Sequence, residues 1–338
     1  MTMRVAINGY GRIGRSFARA LVEREREGMP EPVRLVAIND PGEPENLCYL
    51  TRHDTTFGPF PGSVELDDGH LCLGGHRAKL LHETEPERLP WGELEVDLVL
   101  ECTGVFRGHD QAERHVDAGA RCVLIGAVPF DQADAITLYG VNENDLDADA
   151  RVLSTGSCTT HCIAPLLQRA HQQWGLEQVL MKEVHAYTSD QTLLDQVHRD
   201  PRRGRAGAQN IVPTTSSAIG AVQRVLPFLE GRISGDSIRV PTLNVAMVDL
   251  TLRLTAATPS AETVNGVFRT FADEKPALIG YNNEPLVSTD FYRRPESAVF
   301  DATQTRVQEG MVRIVAWYDN EWGYANRLLD LLAWMADR

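Results

Sequence analysis

No apolar run in this 338-residue chain approaches the roughly 18–20 residues that a membrane-spanning helix requires. A membrane partner is therefore not expected. Positive charge is also scarce. Thirty-three Lys and Arg stand against 47 Asp and Glu, for a net charge of −14. Nucleic-acid binding draws mainly on Lys and Arg contacts to phosphate, so no nucleic-acid partner is expected either. There is no internal repeat and no low-complexity segment. The start, Met1-Thr2-Met3-Arg4-Val5-Ala6-Ile7, runs directly into a strand pattern and lacks the apolar core and cleavage site of a signal peptide. The expected location is cytoplasmic. In that setting six cysteines are not expected to form a disulfide framework. Cys102 and Cys122 sit in apolar runs and read as small core residues. No metal site is expected. Cys158, His161 and Cys162 are spaced Cys-x-x-His-Cys, which matches neither a paired zinc knuckle nor a haem attachment, and no second ligand pair is evident.

What is present is the composition of an ordinary globular protein, 43% hydrophobic and 24% charged. The length exceeds one typical domain, so two are expected. The first half alternates short apolar runs with helical stretches. Strands are expected at 3–8, 35–38, 96–102 and 122–125, with helices at 12–26 and near 111–118. Strands separated by helices imply an α/β domain with a Rossmann-type, doubly wound parallel sheet. Residues 63–81 carry Asp-Asp-Gly and Gly-Gly turns and read as an antiparallel insertion. Residues 28–32 read as an extended loop.

The pattern changes after Cys158. A helix is expected at 159–174, then strand-like runs at 179–188, 237–242, 245–254 and 311–319, with a helix at 261–274. The partial alternation of 245–254 fits a sheet packed on helices by one face. The second half therefore reads as an α+β domain with a mostly antiparallel sheet. The expected division is 1–157 and 158–319, followed by 320–338. The last segment carries a helix that is apolar at Leu328, Leu329, Leu332 and Trp334.

Two motifs carry chemistry. The first is Gly9-Tyr10-Gly11-Arg12-Ile13-Gly14, between the first strand and the first helix. Glycines there permit a tight turn and a close approach of pyrophosphate to a helix N-terminus, the signature of a dinucleotide site. Asp40 ends the second strand, 26 residues after Gly14. A carboxylate at that place can bind a ribose 2′-hydroxyl and repels a 2′-phosphate, so NAD is expected, with NADP use secondary. The plainer alternative is that the glycines only turn the chain and Asp40 caps a loop.

The second motif is Ser157-Cys158-Thr159-Thr160, with His185 following 27 residues after the cysteine. The cysteine opens a helix, whose amides stabilise a thiolate. The histidine lies on a strand and can take the thiol proton and return it later. The alternative is an inert thiol and a core histidine. A thiolate beside a dinucleotide suggests oxidation of an aldehyde through a thioester. Arg205 and Arg239, with Thr188, Asp190 and Ser216 near strand or loop ends, could hold phosphate groups, since guanidinium offers paired donors. Surface arginines are the plainer reading of the same pattern.

Seven segments together resemble the phosphorylating glyceraldehyde-3-phosphate dehydrogenase family. They are Asn8-Gly9-Tyr10-Gly11-Arg12-Ile13-Gly14-Arg15, Ala37-Ile38-Asn39-Asp40, Cys102-Thr103-Gly104, Ser157-Cys158-Thr159-Thr160, His185-Ala186-Tyr187-Thr188, Arg239-Val240-Pro241-Thr242 and Trp317-Tyr318-Asp319-Asn320-Glu321. The resemblance implies NAD-dependent oxidation of glyceraldehyde 3-phosphate to an acyl phosphate, with Cys158 as nucleophile and His185 as acid and base. It implies a substrate-phosphate site at Thr188, Asp190 and Arg239, and an inorganic-phosphate site at Ser157, Thr159, Arg205 and Ser216. Cofactor contacts are implied at Asn8, Gly9, Gly11, Arg12, Ile13, Gly14, Asp40, Thr103, Gly104, Asn320 and Tyr324. It further implies a homotetramer whose last helix returns to the first domain. Two alternatives stand beside it: erythrose-4-phosphate dehydrogenase, a sister enzyme that does not phosphorylate, and a catalytically weak NAD-binding regulatory protein.

The chain departs from the family pattern in places. His161 stands where Asn is usual, Ser154-Thr155-Gly156 precede Ser157, and Ser216 replaces a threonine. Gly126-Ala127-Val128-Pro129, Pro41-Gly42 and Val197 also differ from common members. Lys182-Glu183 replace small or hydroxyl residues. On a strand Glu183 and His185 share a face, so the carboxylate is expected to favour a charged imidazole and to shift the pH optimum.

Overall fold

Residues 2–29 and 32–338 are described by a computed structural model of the chain. Part of the loop expected at 28–32 lies outside them. The chain divides into two units, Met1–Gly156 with Ala325–Arg338, and Ser157–Tyr324. The divisions follow residues 156 and 324, where the sequence placed them after 157 and 319.

In the first unit, β1 (Met3–Asn8) buries consecutive residues Val5, Ala6 and Ile7, as a central parallel strand must. α1 (Arg12–Arg26) follows and buries Phe17, Leu21 and Val22. Next come β2 (Val33–Asn39), α2 (Pro44–Arg52) and a small hairpin of β3 (His53–Asp54) and β4 (Gly58–Pro59). β5 (Val64–Asp67), β6 (His70–Leu73) and β7 (His76–Leu81) form the antiparallel insertion, and β7 then joins β2 in parallel. β8 (Leu98–Glu101), α3 (His109–Asp117), β9 (Cys122–Ile125), β10 (Ala135–Ile136) and β11 (Val152–Ser154) complete the unit's strands. Among the described residues the sheet order is β10-β11-β9-β8-β1-β2-β7-β6-β5. From β1 the chain runs outward through β2 and β7, returns to β8, and runs outward again through β9 and β11. That reversal sets the ends of β1 and β8 side by side. Doubly wound sheets bind ligands at such a switch.

The second unit opens with α4 (Cys158–Trp174), packed on a sheet. Its elements are β12 (Leu176–Ala186), β13 (Val212–Thr214), α5 (Ala218–Val225), β14 (Ile233–Val240), β15 (Ala246–Leu254), α6 (Ala261–Glu274), β16 (Ile279–Asn282), β17 (Ala298–Asp301), β18 (Arg306–Gln308) and β19 (Met311–Tyr318). The sheet order is β13-β14-β12-β15-β19-β17-β16, with β18 beside β19. Most pairings are antiparallel, but β12 with β14 and β16 with β17 are parallel. β12 buries every second residue toward its end: Val179, Met181, Glu183 and His185. That alternation brings two ionisable side chains to the sheet's buried face.

Several strand ends differ from expectation, two of them next to functional residues. β12 stops at Ala186, which leaves Tyr187 and Thr188 in the following loop. β15 starts at Ala246 because Val245 has φ 72°, a left-handed backbone that β-branched residues rarely take. Such strain costs about 1–3 kcal/mol and persists only where neighbours enforce it. Here Asn244, fully buried, donates from Nδ2 to Asp319 Oδ2 at 2.7 Å. Asp319 Oδ1 in turn accepts the Glu321 and Trp322 amides at the start of α7 (Trp322–Ala336).

From Ala325 onward α7 belongs to the first unit and buries Leu328, Leu329, Leu331 and Leu332 there. Arg24 of α1 donates to Asp330 Oδ1 at 2.9 Å and to the Asn326 carbonyl at 3.4 Å. Arg327, 3% exposed at its side chain, lies 2.5 Å from the other Asp330 oxygen. Asp330→Ala removes the carboxylate facing a buried guanidinium and is expected to cost about 3 kcal/mol. Thermal unfolding of parent and variant checks this. A melting temperature unchanged in the variant contradicts the role assigned to Asp330.

Candidate active site

Ser157 is the N-cap of α4. Its Oγ accepts the Thr160 amide at 3.1 Å, and the Ser157 amide donates to Thr160 Oγ1 at 3.2 Å. This reciprocal cap fixes the first turn and puts Cys158, half-buried, at its first position. Cys158 Sγ lies 3.6 Å from His185 Nε2. The other ring nitrogen, Nδ1, lies 2.7 Å from the Ala186 carbonyl and 3.1 Å from Arg239 Nη1. Arg239 also donates to that carbonyl at 3.3 Å. A guanidinium cannot accept, and the shortest contact is to the carbonyl, so Nδ1 carries the ring proton. Nε2 is then bare toward sulfur and can receive the thiol proton.

The electrostatics reinforce that direction. Burial, then the Glu183 carboxylate, push the Cys158 thiol up to about 12, and Arg239 opposes them. Burial and Arg239 lower His185 to about 4, against the pull of Glu183. The helix start at Cys158 implies a thiolate. In the structure each group resists ionising alone, because burial disfavours a single charge. Transfer from Sγ to Nε2 adds no net charge to the site, and the α4 amides favour the thiolate so formed.

The anion groups are arranged differently from expectation. Arg239 is the register partner of His185 across β12 and β14. Its Nε is buried without a hydrogen-bond partner among the described residues, a donor suited to an anionic oxygen. Arg205 is a correction. Its side chain is 61% exposed and donates to Asp195 Oδ2 at 2.8 Å, so it is turned to solvent and to its own loop. The arginine drawn inward is Arg203. It pairs with Asp190 and donates from Nε to Thr214 Oγ1 at 2.9 Å and from Nη2 to the Thr215 carbonyl at 3.0 Å. Asp190 also faces His198 Nε2 at 3.5 Å. Thr188 is half-buried in the same loop. Ser216 Oγ accepts the Ala218 amide at 3.4 Å at the start of α5. Thr159 Oγ1 is bonded to Glu183 and lies 2.9 Å from the hydroxyl of Tyr318, which is not among the expected site residues. Asn320 is buried, and its Oδ1 has no partner among the described residues. It is an acceptor suited to a carboxamide. Tyr324 is buried edge-on against His161, with ring centres 5.5 Å apart.

In the first unit, Gly9 has φ +90°, and a Cβ there would lie 2.6 Å from Thr103 N. A Cβ at Gly14 would lie 2.6 Å from the Gly9 carbonyl. Both glycines are therefore required for the close turn. Nothing lies within 4 Å of a Cβ on Gly11, the N-cap of α1, so space stands open at that helix end. α1 has no side-chain cap and no acidic residue in its first turn, which suits a phosphate. Asp40 Oδ2 accepts the Tyr10 amide and Oδ1 the Gly42 amide, both at 2.8 Å. Each oxygen keeps a lone pair for a sugar hydroxyl. Arg12 pairs with Asp54 and lies over the Phe57 ring, and Ile13 is half-buried beside it. Gly104, φ +72°, has open space around it.

Asn8 supports the turn through its side chain. It is buried, and its side chain is spent on Glu101 Oε2 at 2.5 Å and on Asn39 at 2.7 Å, so it braces the turn from within. Glu101 is the buried hub. It also accepts the Thr103 amide at 2.7 Å, the Thr103 hydroxyl, and His115 Nε2 at 3.2 Å. Trp91 Nε1 donates to His115 Nδ1 at 3.0 Å, which fixes the His115 proton on Nε2. A glycine turn, an uncapped helix start and a carboxylate at the strand end fit a dinucleotide.

Residues 3–109 match the family described as glyceraldehyde 3-phosphate dehydrogenase, NAD binding domain. Residues 157–320 match the family described as glyceraldehyde 3-phosphate dehydrogenase, C-terminal domain. Among curated proteins, the chain is similar to the chromosomal glyceraldehyde-3-phosphate dehydrogenase of Cupriavidus necator. The two are 45% identical over 331 residues, covering 98% of this chain and 97% of the relative. It is 46% identical over 330 residues to glyceraldehyde-3-phosphate dehydrogenase of Pseudomonas aeruginosa, with 98% and 97% covered. It is 43% identical over 339 residues to that of Zymomonas mobilis, with 99% of each covered.

Proposed function

The chain belongs to the glyceraldehyde-3-phosphate dehydrogenase family, and from that membership we propose that it oxidises glyceraldehyde 3-phosphate with NAD and captures the acyl group on inorganic phosphate. The observation that carries this reading is the 3.6 Å approach of Cys158 Sγ to His185 Nε2 at the start of α4. His185 takes the thiol proton, the thiolate adds to the aldehyde carbon as the C=O π bond opens to form a C–S bond, and His185 returns the proton to the oxygen to leave a hydroxyl adduct. His185 then removes the hydroxyl proton of the adduct as the carbon is oxidised to a thioester. Bound NAD supplies the hydride acceptor. An oxygen of inorganic phosphate attacks the acyl carbon, the C–S bond breaks, and Cys158 leaves as thiolate. Asn320 Oδ1, buried and unpartnered among the described residues, is the acceptor for the nicotinamide amide group. The Asp40 carboxylate favours NAD over NADP.

The substrate phosphate is held by Arg239 and Arg203, with Thr188. Asp190 steadies Arg203, the inward-turned arginine of the loop whose Arg205 the resemblance placed at the inorganic-phosphate site. Removing a charged donor from a bound phosphate costs about 1.5–3 kcal/mol. Arg203→Ala is therefore expected to raise KM for the phosphorylated aldehyde about 10-fold or more, while Arg205→Ala stays within about twofold of the parent. Steady-state kinetics of both variants check this, and the reverse ranking would overturn the choice of Arg203. The family's homotetramer is the proposed assembly. Leu193, Leu194, Val197 and Ile211 are 70–101% exposed, a surface that further copies would cover. The proposed location is the cytoplasm.

The deciding assay is NADH formation with glyceraldehyde 3-phosphate and with erythrose 4-phosphate, each with and without inorganic phosphate. Phosphate-dependent turnover of the triose is the expected result. A preference for the tetrose, indifferent to phosphate, would assign the chain to the sister activity with water as the acceptor.

A further inference from the structure

Glu183 interrupts an apolar row on β12 and is 2% exposed. From α4, the Thr159 hydroxyl donates to its Oε1. From β19, the Tyr318 hydroxyl lies 3.2 Å from the same oxygen and 2.9 Å from Thr159 Oγ1. From β14, its register partner Ser237 lies close enough to favour the charged carboxylate without making an aligned hydrogen bond. Across β15 it meets Val248, which is uncharged.

Three oxygen contacts therefore share the protons of two hydroxyls. The shortest is Thr159 to Glu183, and the longest is Tyr318 to Glu183. The proton order that satisfies the two shorter contacts runs from Tyr318 to Thr159 and from Thr159 to Glu183. Thr159 then has no proton left to offer an anion. Burial raises the Glu183 carboxyl. His185, the Thr159 hydroxyl and Arg239 outweigh burial and hold it below the usual carboxylate range. The other titratable groups facing it are Cys158 and Cys162 of α4 and Tyr318 of β19, each of which it pushes upward. Arg203 adds its charge at His185.

We propose that Glu183 is a positioning residue: it engages the Thr159 hydroxyl, withdraws it from phosphate binding, and fixes one negative charge beside both the thiol and the imidazole. This deepens the reading of Cys158 and His185 as the reacting pair. It also corrects the place of Thr159 in the inorganic-phosphate site. A single negative charge raises the proton affinity of both partners, so its removal lowers both.

The test is alkylation of Cys158 by iodoacetamide across pH, followed by mass spectrometry. It needs no substrate and does not depend on which aldehyde is oxidised. Glu183→Gln keeps an acceptor for Thr159 and removes the charge. The pH of half-maximal alkylation and the acid limb of kcat/KM are both expected to fall by about one unit. A purely structural role would leave those positions in place. Midpoints that stay or rise would overturn the proposal. Glu183→Leu, close in volume, frees the Thr159 hydroxyl. KM for inorganic phosphate is expected to fall about threefold or more relative to Glu183→Gln. Equal KM values would overturn the withdrawal of Thr159. A shifted alkylation profile in an enzyme indifferent to phosphate would sink the acyl-acceptor reading and leave the role of Glu183 standing.

Discussion

Cys158→Ser is expected to lower kcat by at least about 10⁴-fold. Serine keeps the place at the head of α4 and the approach to His185 Nε2. It does not keep a nucleophile that the His185 imidazole can ionise. A hydroxyl is far less acidic than a thiol, and Arg239 with the α4 amides cannot close that gap. The measurement has two parts. In the parent, glyceraldehyde 3-phosphate and NAD without phosphate should give a burst of NADH near one per subunit. Intact-mass analysis should then show an acyl adduct. Cys158→Ser should show neither. Cys162, one helical turn further along α4 and fully buried, is the control. Cys162→Ser should retain the burst, and an adduct on Cys162 in the parent would refute the assignment of Cys158.

His185→Asn is expected to lower kcat by about 10²–10⁴-fold, and the residual rate should climb with pH. Without the imidazole, Cys158 must lose its proton to solvent, and burial has set that ionisation at about 12. The rate should therefore keep rising through the accessible alkaline range, where the parent does not depend on solvent in this way. The same substitution changes acid stability. An imidazole titrates near 6.5 in the unfolded chain and at about 4 in the folded one. Between those values the unfolded chain binds a proton that the folded chain refuses, so parent stability is full above 6.5 and declines as pH falls toward 4. The loss attributable to His185 is on the order of 3 kcal/mol. His185→Asn should lose less stability than the parent in denaturant titrations from pH 7 to pH 4. Equal losses would show that His185 is not the group concerned.

The parts legible in the sequence were those written in contiguous residues. The glycine turn, Asp40 at the end of a strand, and Cys158 behind a capping serine each declare their geometry within a few positions. His185 followed from its place on a strand facing the helix. What was not legible depended on loops and on distant neighbours. Arg202, Arg203 and Arg205 stand in one short basic loop, and sequence spacing does not say which turns inward. Hydrogen bonds to Asp190 and to Thr214 decide it. Tyr318 lies at the end of an apolar strand and looks like core. Only its register beside β15 brings its hydroxyl to Thr159. α2 is nine residues long and starts on proline, too short to show a clear period. The left-handed backbone of Val245 has no sequence signal, because valine is a residue that ordinarily avoids it.

The return of α7 to the first unit bears on the order in which a ribosome can finish this protein. Residues up to Gly156 emerge early, yet the surface that Leu328, Leu329 and Leu332 cover stays open until the chain ends. At about 5–20 residues per second, synthesis of the intervening second unit takes roughly ten to thirty seconds. Through that interval the nascent parallel sheet presents uncovered apolar surface and Arg24 awaits its hydrogen bond to Asp330. The second unit, Ser157–Tyr324, is continuous in sequence. The unit translated first is the one completed last.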